Sequence, residues 1–416
     1  MLLYIDPGTG SMLFTILLGL FSVMYFALQK LRIKVKTFVK GGRQKADIDY
    51  MPFVIFSDSK RYWNLFKPIC DEFEKREKDL VYWTTSKDDP ALSTEYDHVK
   101  TEYIGEINQA VTRLNFMKAG VCISTTPGVG VYQWKRSPNT KWYVHVWHGA
   151  GDATGYRMFG LDHFDAVLLS GDYQVEQLRK LEEIRNQAPK ELLVTGITYM
   201  DELLKKKQET PIKDHSVTTV LLAPSWGKSS ILYKYGQTII DSLISTGYKI
   251  IIRPHPQSMI SDKIIVEPLI TKYPNSEMLE WNFDNDNFNV LNQADIMISD
   301  FSSVIWDYTL VFDRPLIYAD TEFDKSPYDA YWLDEEMWVF KTLPTVGYPL
   351  NKESLPQMKE IIDKAISSED LSRGREAARK MAWQHIGHSA ELITDYCIEK
   401  YDALVTDNES AVNDKN

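Results

Sequence analysis

Cysteine is scarce in this sequence: three in 416 residues, Cys70, Cys122 and Cys397, with no CxxC pair among them. That spacing points to neither a zinc knuckle nor a disulfide framework, and a reducing compartment suits it best. Positive charge is also in deficit. A net charge of −11 argues against general nucleic-acid binding. No internal repeat is evident. Also missing is any charged side chain between Asp6 and Lys30, and residues 12–28 (MLFTILLGLFSVMYFAL) are almost wholly apolar. As a helix that stretch covers about 25 Å, slightly short of a bilayer core. Its basic residues follow the apolar run, whereas a cleaved signal peptide carries them before it. It shows no polar face, as a buried soluble helix would. The expectation is an N-terminal transmembrane helix in an anchor segment 1–30. The positive-inside rule then puts the rest in the cytoplasm, at the cell membrane. A re-entrant or interfacial helix is the alternative.

What is present fits a folded chain: 44% apolar and 25% charged residues, with length enough for two or three domains. A juxtamembrane strip, 31–46, continues from Lys30 through Arg32, Lys34, Lys36, Lys40, Arg43 and Lys45 without an acidic residue. From Lys30 to Lys45 this run suits an anionic membrane surface. Beyond it, β-rich runs alternate with helical stretches. Strands are expected at 53–56, 80–84, 121–124, 142–147, 166–170 and 192–195, then at 219–223, 249–253, 295–299 and 315–318. Helices are expected at 173–185 and 235–246, among others. Strands separated by helices imply parallel sheets built from βαβ units. The polar stretch 205–215 (KKKQETPIKDH) reads as a linker. The division is therefore an N-terminal Rossmann-like lobe 47–206, a linker 207–216, a C-terminal lobe 217–370, a closing helical segment 371–402 and an acidic tail 403–416.

Three segments lie just after expected strands, where open α/β sheets bind ligands. In Trp147-His148-Gly149-Ala150-Gly151 the glycines would let the backbone turn tightly, and His148 sits where a general base could meet a hydroxyl. A hydrogen-bonded strand-end histidine is the bland reading. His145, inside the strand and on the opposite face by parity, illustrates it. In Arg253-Pro254-His255-Pro256 each proline forces the residue before it into extended geometry, so Arg253 and His255 project to one side. That pair suits a group whose negative charge grows as a bond breaks. In Ser299-Asp300-Phe301-Ser302-Ser303 a helix begins near Phe301, and its N-terminus with Ser302 and Ser303 suits phosphate. Asp300 belongs to this site but as a structural helix cap; Val304, Tyr308 and Val311 read as core. Weaker signals are set aside: Gly128-Val-Gly130 is a fragment of a dinucleotide fingerprint, Asp284 and Asp286 read as loop residues and not metal ligands, and His385 with His388 lacks supporting ligands. Trp332 and Trp338 either line a groove or pack.

Taken together, WHG, RPHP and SDFSS, with VTGITYMDEL and VLLAPSW between the first two, resemble the CDP-glycerol glycerophosphotransferase family of teichoic-acid synthesis. The likeness runs from about Val144 to Asp320 and is strongest over DIMISDFSSVIWDYTLVFDRPLIY. The resemblance implies a GT-B-like α/β fold of two Rossmann-like lobes. It implies His148 as base, His255 at the donor pyrophosphate with Arg253, Ser302 and Ser303, CMP as leaving group, and neither cofactor nor metal. Three departures stand out. The family's HGTPLK is here HGAGDATGYR, so the basic residue arrives late, as Arg157. The family's APTxR is Ala223-Pro224-Ser225-Trp226-Gly227, leaving Ser225 and Lys228 in place of the arginine. The RGxYF-like pattern is absent from 328–339.

The resulting expectation is a transferase moving glycerol phosphate, or another polyol phosphate, from a CDP-polyol donor to a lipid-linked acceptor. Its contacts are Gly149, Arg157, Ser225, Arg253, Asp300, Ser302 and Ser303. The rivals are a GT-B glycosyltransferase or epimerase using a nucleotide sugar, and a non-catalytic membrane scaffold.

Overall fold

The computed structural model describes residues 50–210, 217–284, 286–300, 302–319 and 323–413. Residues 51 onward form one compact unit. It contains two parallel sheets. The first has seven strands in the order β3-β2-β1-β4-β5-β6-β7: β1 (Met51–Ser57), β2 (Leu80–Thr84), β3 (Val99–Tyr103), β4 (Ala119–Ser124), β5 (Thr140–Val146), β6 (Ala166–Leu169) and β7 (Glu191–Val194). The second has six in the order β10-β9-β8-β11-β12-β13: β8 (Thr219–Ala223), β9 (Lys249–Ile252), β10 (Leu279–Trp281), β11 (Ile296–Ser299), β12 (Leu316–Ala319) and β13 (Gly347–Leu350). Each order reverses beside its first strand, which opens a crevice at the carboxyl edge of the sheet.

The central strands form because they are short, continuous apolar runs buried on both faces, such as VIF in β1, VLL in β8 and IMI in β11. Their side chains meet helices on either side. Phe66, Ile69, Cys70 and Phe73 of the helix Trp63–Lys75 pack on Phe53, Ile55 and Val121. Ile239, Ile240 and Leu243 of the helix Gln237–Ile244 pack on Val220, Leu222 and Ile250.

Four expectations are corrected. The expected transmembrane helix is not supported by the described residues. Residues 12–28 lie outside the described residues, and among the described residues no helix is long and apolar enough to cross a membrane. The longest, Ser389–Asn413, is interrupted by Glu391, Asp395, Glu399, Lys400 and Asp402. The helix expected at 235–246 breaks at Gly236, whose φ of 49° ends one helix, Ile231–Tyr235, before the next begins. The expected linker begins later, because the helix Thr198–Glu209 takes in residues 205–209; 211–216 lie outside the described residues. The closing segment is two helices, Glu369–Ala382 and Ser389–Asn413, and His385 turns through φ 55° between them.

That break returns the chain to the first lobe. Asp201 accepts from Trp383 Nε1 (3.0 Å) and from the backbone N–H of Ser389 (3.2 Å). Farther along, Tyr396 Oη donates to Glu191 Oε2 (2.7 Å) and accepts from Trp142 Nε1 (3.1 Å). Ile393 and Cys397 are fully buried in the first-lobe core.

Candidate active site

The loops leaving β5, β8, β9 and β11 converge on a cavity of about 480 Å³. From the first lobe it is lined by Trp147, His148 and Gly149, and from the second by Ser225, His255, Ser302 and Ser303. The two histidines expected on separate segments therefore face one cavity. A larger space of about 750 Å³ adjoins it, lined by Lys60, Arg61, Lys205, Lys206 and Arg253. Among the described residues, His148, Tyr199 and Asp307 line both.

His148 follows the end of β5. Its Nδ1 lies 2.7 Å from Thr125 Oγ1 and 3.1 Å from Tyr156 Oη. Burial, and then the nearby Arg61 charge, push its pKa down to about 4, so the imidazole is neutral at pH 7. Parity had separated His145 from this group. The strand ends at Val146, however, and Tyr156 Oη reaches His145 Nε2 at 3.0 Å as well.

Gly149 and Gly151 were expected to allow a tight turn. Neither has a positive φ, and a Cβ at either would meet no atom within 4 Å. What their missing side chains provide is open space in the cavity. The loop is fixed instead by the helix Asp172–Ile184: Gln174 Nε2 donates to the Gly151 carbonyl (2.6 Å), and the Ala153 N–H donates to Gln177 Oε1 (2.7 Å). Asp152 ties it to the second lobe by accepting from the backbone N–H groups of Trp338 (2.7 Å) and Val339 (3.0 Å).

Arg157 is exposed, bridges to Tyr328 and lines none of the cavities. It does not replace the family's basic residue in the cleft. This part of the loop is sewn to the second lobe. Met158 N–H donates to the Pro327 carbonyl (3.2 Å), Asp329 N–H to the Tyr156 carbonyl (2.9 Å), and Phe159 N–H to Asp329 Oδ1 (2.8 Å). Behind it the buried Arg185 pairs with Asp162 (2.8 Å) and with Asp329.

In the second lobe, Gln257 N–H donates to His255 Nδ1 (3.1 Å), which leaves Nε2 as the donor of the neutral ring. Burial lowers this pKa too, helped by Arg61 and opposed by Asp300. Arg253 shares a small cavity of about 190 Å³ with His255, Ser302 and Ser303. Its guanidinium, though, is engaged by Asn282 Oδ1 and by the Asp284 carbonyl (2.6 Å). Asp300 is structural but does not act as the expected cap. Its carboxylate accepts from Ser225 N–H (2.9 Å) and Ile231 N–H (3.0 Å), so it shapes the loop after β8. Ser225 Oγ is buried with no hydrogen-bond partner among the described residues. Asp286 pairs with Lys206 (2.7 Å) and accepts from Phe288 N–H (2.9 Å). Trp338 packs on Trp306, with ring centroids 4.5 Å apart, while Trp332 covers Arg185; neither lines these three cavities.

Tyr199 and Asp307 are among the cleft residues that escaped the sequence reading. The helical run after Ser303 is α over Val304–Trp306 and widens to π over Asp307–Phe312, a local form frequent at functional sites. Tyr308 and Val311 are buried as expected, but Asp307 faces the cleft, 3.5 Å from Tyr199 Oη. Burial raises its pKa to about 7. A lone carboxylate inside VIWDYTLVF was the available signal.

A family model described as CDP-Glycerol:Poly(glycerophosphate) glycerophosphotransferase matches residues 43–331. The minor teichoic acid biosynthesis protein GgaB of Bacillus subtilis (strain 168) is 26% identical over 162 residues, 38% of this chain. The match spans only 16% of that relative's length. Among solved structures, the wall teichoic acid polymerase TagF with CDPG has a TM-score of 0.56 at 17% identity, covering 91% of this chain and 98% of that one. The UDP-GlcNAc 2-epimerase of Methanocaldococcus jannaschii has a TM-score of 0.55 at 12% identity, covering 84% and 100%. At these identities the structural likeness speaks for the fold alone.

Proposed function

We propose, from the premise that this chain belongs to the CDP-glycerol:poly(glycerophosphate) glycerophosphotransferase family, that it transfers glycerol phosphate from CDP-glycerol to a hydroxyl of an acceptor polymer in teichoic-acid synthesis. The observation that carries the reading is the position of His148. It stands where two cavities meet, with His255 on the wall of the first.

In this reading the donor occupies the 480 Å³ cavity. His255 Nε2–H and the Ser302 and Ser303 hydroxyls donate to its pyrophosphate. The acceptor enters through the larger space, whose Lys60, Arg61 and Lys205 suit a phosphate-bearing chain. The acceptor hydroxyl attacks the donor's β-phosphorus, its proton passes to His148, and the bond to CMP breaks. Positioning and charge balance do most of the work in such a transfer. The polymer is lipid-linked and met at the cytoplasmic membrane face, a reading supported by the run from Lys30 to Lys45, which suits anionic headgroups.

The test is CMP release from CDP-glycerol in the presence of acceptor-bearing membranes. His148→Ala and His255→Ala should each lower turnover by about two to four orders of magnitude, with melting temperatures unchanged. Near-normal CMP release by both variants would end the proposal. Thermal protection by UDP-sugars in place of CDP-glycerol would redirect it to nucleotide-sugar chemistry.

A further inference from the structure

The loop that departs from the family pattern brings Tyr156 between two histidines, and this arrangement has its own chemistry. Tyr156 Oη lies 3.1 Å from His148 Nδ1 and 3.0 Å from His145 Nε2. A phenol has one proton to give, so it can donate to only one of these rings. The second neighbour of His148 Nδ1, Thr125 Oγ1 at 2.7 Å, is also a hydroxyl. A nitrogen lone pair accepts from one hydroxyl, whereas an Nδ1–H set between two oxygens is shared by both. Two hydroxyls around one nitrogen therefore favour Nδ1 as the donor. Tyr156, which also lies beside the Thr125 hydroxyl, then directs its own proton to His145 Nε2.

We propose that His145 is a positioning residue: by accepting the Tyr156 proton it keeps the proton of His148 on Nδ1 and so leaves the Nε2 lone pair facing the cleft. The inference rests on His148 being the base. Its content is separate: His145, inside the core, acts by withdrawing the Tyr156 proton from His148. In this polarity His145 carries its proton on Nδ1, a buried atom without a protein partner. An unpaired buried group of this kind is a cost that folds tolerate at functional sites. The surroundings hold the pieces in register. His145 is wedged by Trp147, Phe164 and Tyr156, with ring centroids 5.8, 5.1 and 5.2 Å away. The Tyr156 backbone is fastened to the second lobe through Asp329 N–H.

A rescue experiment tests this. In His145→Phe the Tyr156 proton loses its acceptor and turns to His148 Nδ1, which moves the His148 proton to Nε2. Turnover should fall at least tenfold while KM for CDP-glycerol stays within about twofold. Adding Tyr156→Phe removes the competing donor, leaves Thr125 to receive Nδ1–H, and should restore turnover to within a few-fold of wild type. Tyr156→Phe removes only the hydroxyl, whereas His145→Phe puts a larger ring among the buried aromatics, and thermal protection by CDP-glycerol reports folding. Nitrogen-15 spectra of the ring should show His148 protonated on Nδ1 in the wild type and the double variant, and on Nε2 in His145→Phe. A wild-type His148 protonated on Nε2, or a double variant no better than His145→Phe, overturns the inference. If His148→Ala retains turnover, the base assignment fails instead, whatever the spectra show. If His145→Phe does not fold, the wild-type spectrum still decides, because both His148 and His145 must carry their protons on Nδ1.

Discussion

Lowering the pH should separate a buried His148 from an ordinary one. The perturbation is a fall from pH 7 to pH 5 in kcat/KM for CDP-glycerol. An unperturbed imidazole titrates near 6.5, so its neutral, base-competent fraction would drop about 25-fold over that interval. With the His148 pKa held down at about 4, the same fraction drops by only about a tenth. The sign follows from the charge: burial and the Arg61 guanidinium penalise the cation, so protonation is deferred to more acid solution. The groups around the ring are Arg61, Tyr62, Thr125, Tyr156 and His145. Burial and Asp58 raise the Tyr62 pKa despite the opposing Arg61 charge, so Tyr62 stays protonated. Asp307 is the complication, because its carboxyl titrates near 7 in the same cleft. Asp307→Asn removes that limb, and the assay is run on both proteins with stopped-time CMP quantification. A 25-fold loss at pH 5 in Asp307→Asn would refute the reasoning. It would mean that water reaches the His148 ring freely and that Arg61 exerts no field on it.

The remaining predictions concern other parts of the cleft. Gly149→Val should raise KM for CDP-glycerol about tenfold or more with little change in melting temperature, because the side chain enters open cavity and the backbone is unstrained. An unchanged KM would place the donor elsewhere. Asp300→Ala leaves the Ser225 and Ile231 N–H groups without their carboxylate and should cost about 3 kcal/mol in urea unfolding, along with thermal protection by the donor. A loss below about 0.5 kcal/mol would show that those groups find other partners. Arg185→Met strands Asp162 and Asp329 in a buried setting and should cost about 3–5 kcal/mol by the same measurement.

Much of the architecture was legible, and where it was not the reason is local. Central strands announce themselves because burial on both faces demands continuous apolar residues. β3 (VKTEY), β10 (LEW) and β13 (GYPL) escaped notice, and each is the outermost strand of its sheet. Edge strands tolerate charge, brevity and proline because one side makes no ladder. The location of the cleft was legible for a related reason: His148, Ser225, His255 and Ser302 all follow strand ends, and the sheet topology gathers strand ends together. Contacts between segments distant in sequence were not legible. Arg157 could be placed only by knowing that its loop is held by residues 327–329, and Tyr156 only by knowing that β5 stops one residue after His145. The resemblance supplied roles for His148 and His255, but it was silent on Tyr156, whose loop departs from the pattern. Parity, a sound guide inside a strand, misled once the strand had ended.

The helix Ser389–Asn413, packed against β4 and the helix Trp63–Lys75, has a consequence for the order in which the molecule is made. The nascent chain emerges with the first sheet complete but with the side that receives Ile393 and Cys397 still bare. The whole second sheet must leave the ribosome before that cover arrives. The first lobe is thus begun before the second and finished after it, with an apolar face uncovered in the interval.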